Sequence, residues 1–155
     1  MDLPLLGAIP STGDGVLPGE IIAPIAASLL LGSVAGLPRS ILFTSAQEGE
    51  GKSATLHALA LAPAGLGKRI IVVDCDMRRP RQHSLFRLTP DKGLSEVMTG
   101  QARLEDAVAE SGVAGLSVLP CGAMPPNPAE LLSASALDAL LADLQALDFG
   151  DLADE

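Results

Sequence analysis

The chain has 155 residues, 48% of them apolar, which suffices for one domain with a core and argues against a disordered segment. It holds three Phe but neither Trp nor Tyr. That removes the stacking platforms of single-stranded nucleic-acid binders and excludes tyrosine phosphorylation of this chain itself. A net charge of −9, from 10 basic and 19 acidic residues, disfavours wrapping of duplex DNA.

Residues 1–19 are rich in Pro and Gly and are expected to form a flexible leader, with one folded domain over residues 20–155. Glu20 to Leu31 predicts an apolar helix, with Pro24 tolerated near its first turn. Ile21 to Pro38 carries no charge, at the lower length limit for a membrane span. Pro24, Gly32, Gly36 and Pro38 interrupt it, so a buried helix is the expectation. Gly32 to Arg39 is a connection. Ser40 to Ser45 is an apolar run of strand length. Ser53 to Ala62 predicts a helix with Leu56, Leu59 and Ala60 on one face, stopped by Pro63, Gly65 and Gly67.

Arg69 to Asp74 is the clearest strand. Ile70, Ile71, Val72 and Val73 are all β-branched, which implies burial on both faces, as in a parallel sheet. Helices are expected from Leu94 to Met98 and from Leu104 to Glu110, and a third strand from Leu116 to Leu119. Asn127 as N-cap, Pro128 at N1 and Glu130 as capping-box acceptor open the last helix. Strands alternating with helices give an α/β fold on a parallel sheet.

All ten Lys and Arg lie between Arg39 and Arg103, whereas the chain from Asp138 onward carries six acids and no base. The acidic end is read as a solvated face. The basic stretch of Arg78, Arg79, Arg81 and Arg87 could hold phosphate or an acidic partner. Cys75 and Cys121 form no metal-type cluster with His57 and His83, and two thiols in an unstapled chain suggest a reducing compartment. The opening Met-Asp-Leu-Pro lacks a positive n-region, so no secretory signal is expected. His57 reads as a packing residue, and His83 is open between packing and function.

The strongest chemical signal is Ala46-Gln-Glu-Gly-Glu-Gly-Lys-Ser53, the phosphate-binding P-loop pattern with Ala in place of the first Gly. Gly49 and Gly51 let the backbone turn tightly and aim N–H groups at phosphate oxygens. Lys52 can reach the β- and γ-phosphates, and Ser53 can ligate Mg²⁺. Residues Gln47, Glu48, Gly49, Glu50, Gly51, Lys52, Ser53 and Ala54 are the candidate nucleotide-binding set. The helix that follows presents its positive N-terminus to the anion. The plain alternative is a glycine-rich turn that binds nothing, and the strand–turn–helix context weighs against it.

The second signal is Asp74 and Asp76 at the C-terminal end of the buried strand, the edge where open α/β sheets bind ligands. Period-2 spacing puts both carboxylates on one face if the strand continues that far. Two acids beside a nucleotide can hold Mg²⁺ and accept a proton from an attacking hydroxyl. Alone, the pair reads equally well as a solvated strand end.

Together these motifs resemble the bacterial tyrosine kinases of capsule and exopolysaccharide assembly. The resemblance runs from about Leu37 to Leu141. It includes Pro38 to Ser45, the P-loop, the Walker-type run Ile70 to Pro80, Gly93-Leu-Ser-Glu-Val-Met-Thr-Gly100, and Leu119-Pro-Cys-Gly-Ala-Met-Pro-Pro-Asn-Pro-Ala-Glu-Leu-Leu132. It implies a P-loop NTPase-type parallel sheet flanked by helices, ATP and Mg²⁺ as cofactors, and catalytic roles for Lys52, Asp74 and Asp76. Lys52 would hold phosphates and Asp74 would be the base for a tyrosine hydroxyl, with Ser53 and Asp76 on the metal. It also implies a membrane-embedded polysaccharide co-polymerase as activator, a protein tyrosine substrate in trans, subunits assembled in a ring, no nucleic acid, and a cytoplasmic location at the inner face of the plasma membrane through that partner. Two other readings stand beside it: a non-catalytic nucleotide-binding module of the co-polymerase, and a partitioning-type ATPase. Gln47 disfavours the latter, which carries a signature lysine there.

The resemblance breaks at several places. The family has a further Walker-type strand ending in aspartate after the last helix, and a tyrosine-rich tail; neither is seen in Leu147 to Glu155. Ala23 and Ala26 stand where the family's N-terminal helix carries arginines for subunit contacts, which weakens the expected homo-oligomer. Glu48 replaces a common proline and adds negative charge near the phosphates. The expectation is a C-terminally incomplete kinase domain of impaired activity.

Overall fold

The computed structural model describes residues 17, 19–31, 39–45, 47 and 49–147. The expected leader, apart from Leu17 and Gly19, lies outside the described residues, as do the connection up to Pro38, Ala46, Glu48 and the acidic end after Leu147. The chain divides into two units, residues 1–70 and 71–155.

The first unit is built on a helix pair. Helix α1 runs Gly19–Leu31 and helix α2 runs Lys52–Gly65. Ile22, Ile25 and Ala26 recur at the i, i+3, i+4 spacing of one helix face and bury against Leu59 of α2, with Phe43, Ala58 and Ala62 around them. Burying Ile22, Ile25 and Leu59 contributes about 1.5–3 kcal/mol each. Pro24 sits within α1 and its carbonyl accepts the Ser28 hydroxyl at 2.9 Å. No helix among the described residues is long and apolar enough to cross a membrane.

Two sequence expectations fail in this unit. Ser40 to Ser45 is not a strand. A strand exists only against a neighbour that takes up its backbone groups, and Leu42 is 87% exposed while Phe43 packs on the helix pair. Helix α2 also runs through Pro63 rather than stopping at it. A proline in the last turn forfeits one hydrogen bond, and the helix closes three residues later, where Leu66 and Lys68 donate to Pro63 O and Gly67 donates to Ala64 O.

The second unit holds most of a three-stranded sheet of order β1-β3-β2, from β1 Ile70–Val73, β2 Ala109–Val113 and β3 Leu116–Leu119. Its helices are α3 Gln82–Leu85, α4 Leu94–Met98, α5 Leu104–Ala107, α6 Pro128–Leu131 and α7 Ala134–Ala146. Strand β3 is the middle strand, and its Leu116, Val118 and Leu119 are 0–2% exposed. Met77, Leu94, Leu104, Ala107, Leu119, Cys121, Leu140 and Leu144 make the core.

The α/β class and the helix at Leu94–Met98 agree with the sequence reading, but four details do not. Strands β2 and β3 form an antiparallel hairpin closed by Ala114 and Gly115, so the sheet is not wholly parallel. The helix expected to reach Glu110 ends at Ala107, because Ala109 pairs with Val118 and Glu110 with Ser117. In β1 only Val72 is fully buried, as β1 is an edge of this sheet. The last helix is also two. Asn127 makes no side-chain cap; its amide donates to the Glu130 carboxylate at 3.4 Å, and Ser133 is the N-cap residue of α7.

Candidate nucleotide site

The P-loop residues lie in the first unit. Ser45 donates its hydroxyl to Gln47 O at 3.1 Å, and the Glu50 carboxylate accepts the Gln47 N–H at 3.2 Å. These bonds curl the loop before its glycines turn it. Gly49 has φ 81° and Gly51 has φ 83°. An added Cβ would meet nothing within 4 Å at either position, so the glycines are needed for backbone conformation rather than for space. Gly51 is the N-cap of α2, and its carbonyl accepts the Thr55 N–H at 2.8 Å. A glycine N-cap has no side chain to take up the first-turn amides of the 14-residue helix, and these carry the positive end of its dipole. Lys52, Ser53 and Ala54 form that first turn and are half-buried. His57, one turn on, is also half-buried, and burial lowers its pKa.

The two aspartates lie in the second unit, on the loop that follows β1. The strand ends at Val73, and the carboxylates turn back on their own loop. Asp74 is 5% exposed. Its Oδ1 accepts the Asp76 N–H at 3.2 Å, and its Oδ2 accepts the Arg81 and Gln82 N–H groups at 3.0 and 2.9 Å. Asp74 thus holds the start of α3 in place of a local N-cap. A carboxylate has about four acceptor positions, so one remains. Asp76 Oδ1 accepts the Arg79 N–H at 3.0 Å and shapes the arginine turn, where Arg78, Arg79 and Arg81 are exposed. Arg87 carries the one positive φ of a non-glycine among the described residues, 56°. His83 lies in α3.

A third group of residues was not foreseen as functional: Gly93, Ser95, Glu96, Cys121 and Gly122. Leu94 N–H donates to Pro120 O at 2.7 Å and Ser95 N–H to Cys121 O at 2.9 Å. Glu96 Oε2 accepts the Gly93 N–H at 2.8 Å and Oε1 accepts the Ala123 N–H at 3.1 Å. Burial raises the Glu96 pKa, but the main-chain donors, Ala123 first, outweigh it, and the net value is lowered from 4.5. The signal in the sequence was Gly93-x-x-Glu96, a capping-box spacing with glycine at the cap. Its second contact, to Ala123, joins residues 27 apart and leaves no local trace.

Cys121 is 1% exposed, and burial, reinforced by Asp74, pushes its thiol up to about 11. Burial and Asp74 raise Cys75 as well. Both cysteines are free thiols. Among the described residues no three His, Cys, Asp or Glu side chains group as a metal cage. A groove of about 420 Å³ between α5 and the end of α7 is lined by none of the predicted site residues.

The chain is 42% identical over 102 residues to the tyrosine-protein kinase YwqD of Bacillus subtilis, covering 66% of this chain and 43% of that protein. It is 35% identical over 106 residues to the putative tyrosine-protein kinase CapB of Staphylococcus aureus, covering 68% and 46%. The solved BceF tyrosine kinase domain superposes with a TM-score of 0.77 at 31% identity, over 92% of this chain and 66% of that domain. These relatives and structural neighbours are bacterial tyrosine kinases. No protein-family model matches the chain. The chain spans less than half the length of the curated relatives named here.

Proposed function

We propose that the chain is the nucleotide-binding part of a protein tyrosine kinase acting in capsule or exopolysaccharide assembly. The observation that carries this reading is the left-handed Gly49/Gly51 turn opening directly into α2 at Lys52. In this reading the first-turn amides and Lys52 bind and orient the ATP phosphates. The Ser53 hydroxyl in the first unit and the Asp76 carboxylate in the second would each be a candidate oxygen donor for Mg²⁺. When bound, the ion would neutralise charge developing on the transferred phosphoryl group. Asp74, held by three amide donors, has one acceptor position left for the proton of an incoming tyrosine hydroxyl. On the resemblance set out in the sequence analysis, we further propose a membrane-embedded polysaccharide co-polymerase as activator, self-association, and a cytoplasmic location beneath the membrane.

Calorimetric titration of the chain with Mg²⁺·ATP tests the reading. Lys52→Ala should weaken binding by about 1.5–3 kcal/mol, the size of a charge-assisted contact. A folded chain that binds no nucleotide, or equal binding by the variant, overturns it. Transfer to a supplied tyrosine peptide, lost in Asp74→Asn, tests the kinase step separately.

A further inference from the structure

The geometry points to Glu96 as a positioning residue for the Asp74–Asp76 loop, acting through the main chain of residues 119–123. Any part it plays in phosphoryl transfer rests on the kinase reading above; the coupling itself does not.

The segment from Leu119 to Ala123 is gripped from two sides. On one side Leu119 O accepts the N–H of Asp74 at 2.9 Å. On the other, Pro120 O and Cys121 O accept from Leu94 and Ser95 at 2.7 and 2.9 Å. At Ala123 side chains take over: Glu96 Oε1 accepts its N–H, and the Ser95 hydroxyl donates to its carbonyl at 2.6 Å. Glu96 Oε2 simultaneously anchors Gly93, so one carboxylate ties the start of α4 to the end of the segment. There is no slack. A Cβ on Gly122 would strike Glu96 Oε2, and one on Gly93 would strike the main chain of Pro120 and Gly122. Leu94, Leu119 and Cys121 are 0–1% exposed, so sideways movement is blocked as well. Close-packed interiors transmit displacement rather than absorb it. A shift at Ala123 therefore reaches Leu119, then the Asp74 amide, and with it the Asp76, Arg81 and Gln82 amides that the Asp74 carboxylate holds. A carboxylate accepts from both Gly93 and Ala123. A carboxamide turns its NH₂ toward one of these donors and breaks that tie.

Amide NMR spectra of the nucleotide-free chain test the coupling. Glu96→Gln should shift the Asp76, Arg81 and Gln82 resonances, while Glu105→Gln, at an exposed carboxylate, should leave them in place. Hydrogen exchange on the unmodified chain gives a second measurement that needs no variant to fold. Gly93, Ala123, Asp76, Arg81 and Gln82 should open as one unit. Unmoved resonances in a folded Glu96→Gln, or loop amides that stay protected while Gly93 and Ala123 exchange, overturn the assignment. A Mg²⁺·ADP titration separates the two ideas. Glu96→Gln should lose about tenfold in affinity, the lower end for residues that orient metal ligands. Coupled amides in a chain that binds no Mg²⁺·ADP would sustain the positioning role and remove the kinase reading.

Discussion

A methyl group at Gly93 would meet Pro120 O and Gly122 N, main-chain atoms that cannot step aside as a side chain can. Gly→Ala at a tolerant site adds about 0.4–1 kcal/mol of stability through the unfolded chain. Here the clash is the larger effect, and Gly93→Ala should destabilise by on the order of 3 kcal/mol, read as a lower urea midpoint. An unchanged midpoint would show that the strands of this junction part easily. Glu96, three residues on, makes the same junction sensitive to acid. Its folded pKa lies below the ordinary 4.5. The stability it lends is therefore complete above pH 4.5 and is lost as pH falls through the depressed folded value. The urea midpoint of the unmodified chain should fall more steeply below pH 4.5 than that of Glu96→Gln. Parallel curves would assign the acid loss to other carboxylates.

Helices α3 and α7 owe their stability to different things. Helix α3 has only four residues, too short to persist by itself. It begins where Asp74 accepts the Arg81 and Gln82 amides, so Asp74→Ala leaves the buried Gln82 donor and the part-buried Arg81 donor unmet and should cost about 3 kcal/mol. Far less loss, by chemical denaturation, would mean that the arginine turn holds its own shape. Helix α7 is secured by packing: Leu140 and Leu144 are each 4% exposed, while Leu141 is 37% exposed. Leu144→Ala should cost about 2–5 kcal/mol, and Leu141→Ala less than about 1 kcal/mol, by the same measurement. Equal costs would place the packed face elsewhere. The elements set by local signals were legible in the sequence. The apolar face of α1, the β-branched run of β1 and the glycine-to-lysine start of α2 each needed only their own residues. Strand β2 was not legible, because Ala109 to Val113 has the composition of a helix end and becomes a strand only by pairing with β3. Ser40 to Ser45 failed in the opposite sense, with strand composition but no ladder. For the site, the positions of Gly49, Gly51 and Asp74 were visible. The amide bonds that occupy Asp74 and Glu96 were not, since they depend on where the chain returns.

The molecule's charge and composition bear on how its activity can be observed. No tyrosine occurs anywhere in the chain. Incubation with ATP should therefore leave no phosphotyrosine on the chain, and on the proposed kinase reading it should leave some on a supplied peptide, as judged by mass spectrometry. Phosphate on the peptide that persists in Lys52→Ala would point to a contaminating kinase. With neither Trp nor Tyr, unfolding also has no useful intrinsic fluorescence to report it. The Cys121 thiol, sealed next to β3 and held protonated, offers a substitute. A disulfide reagent can reach it only in those moments when the core around it opens. With Cys75 replaced by Ser, the rate of its modification in excess reagent counts those events, so a single sulfur serves as a clock for the opening of the core beside β3.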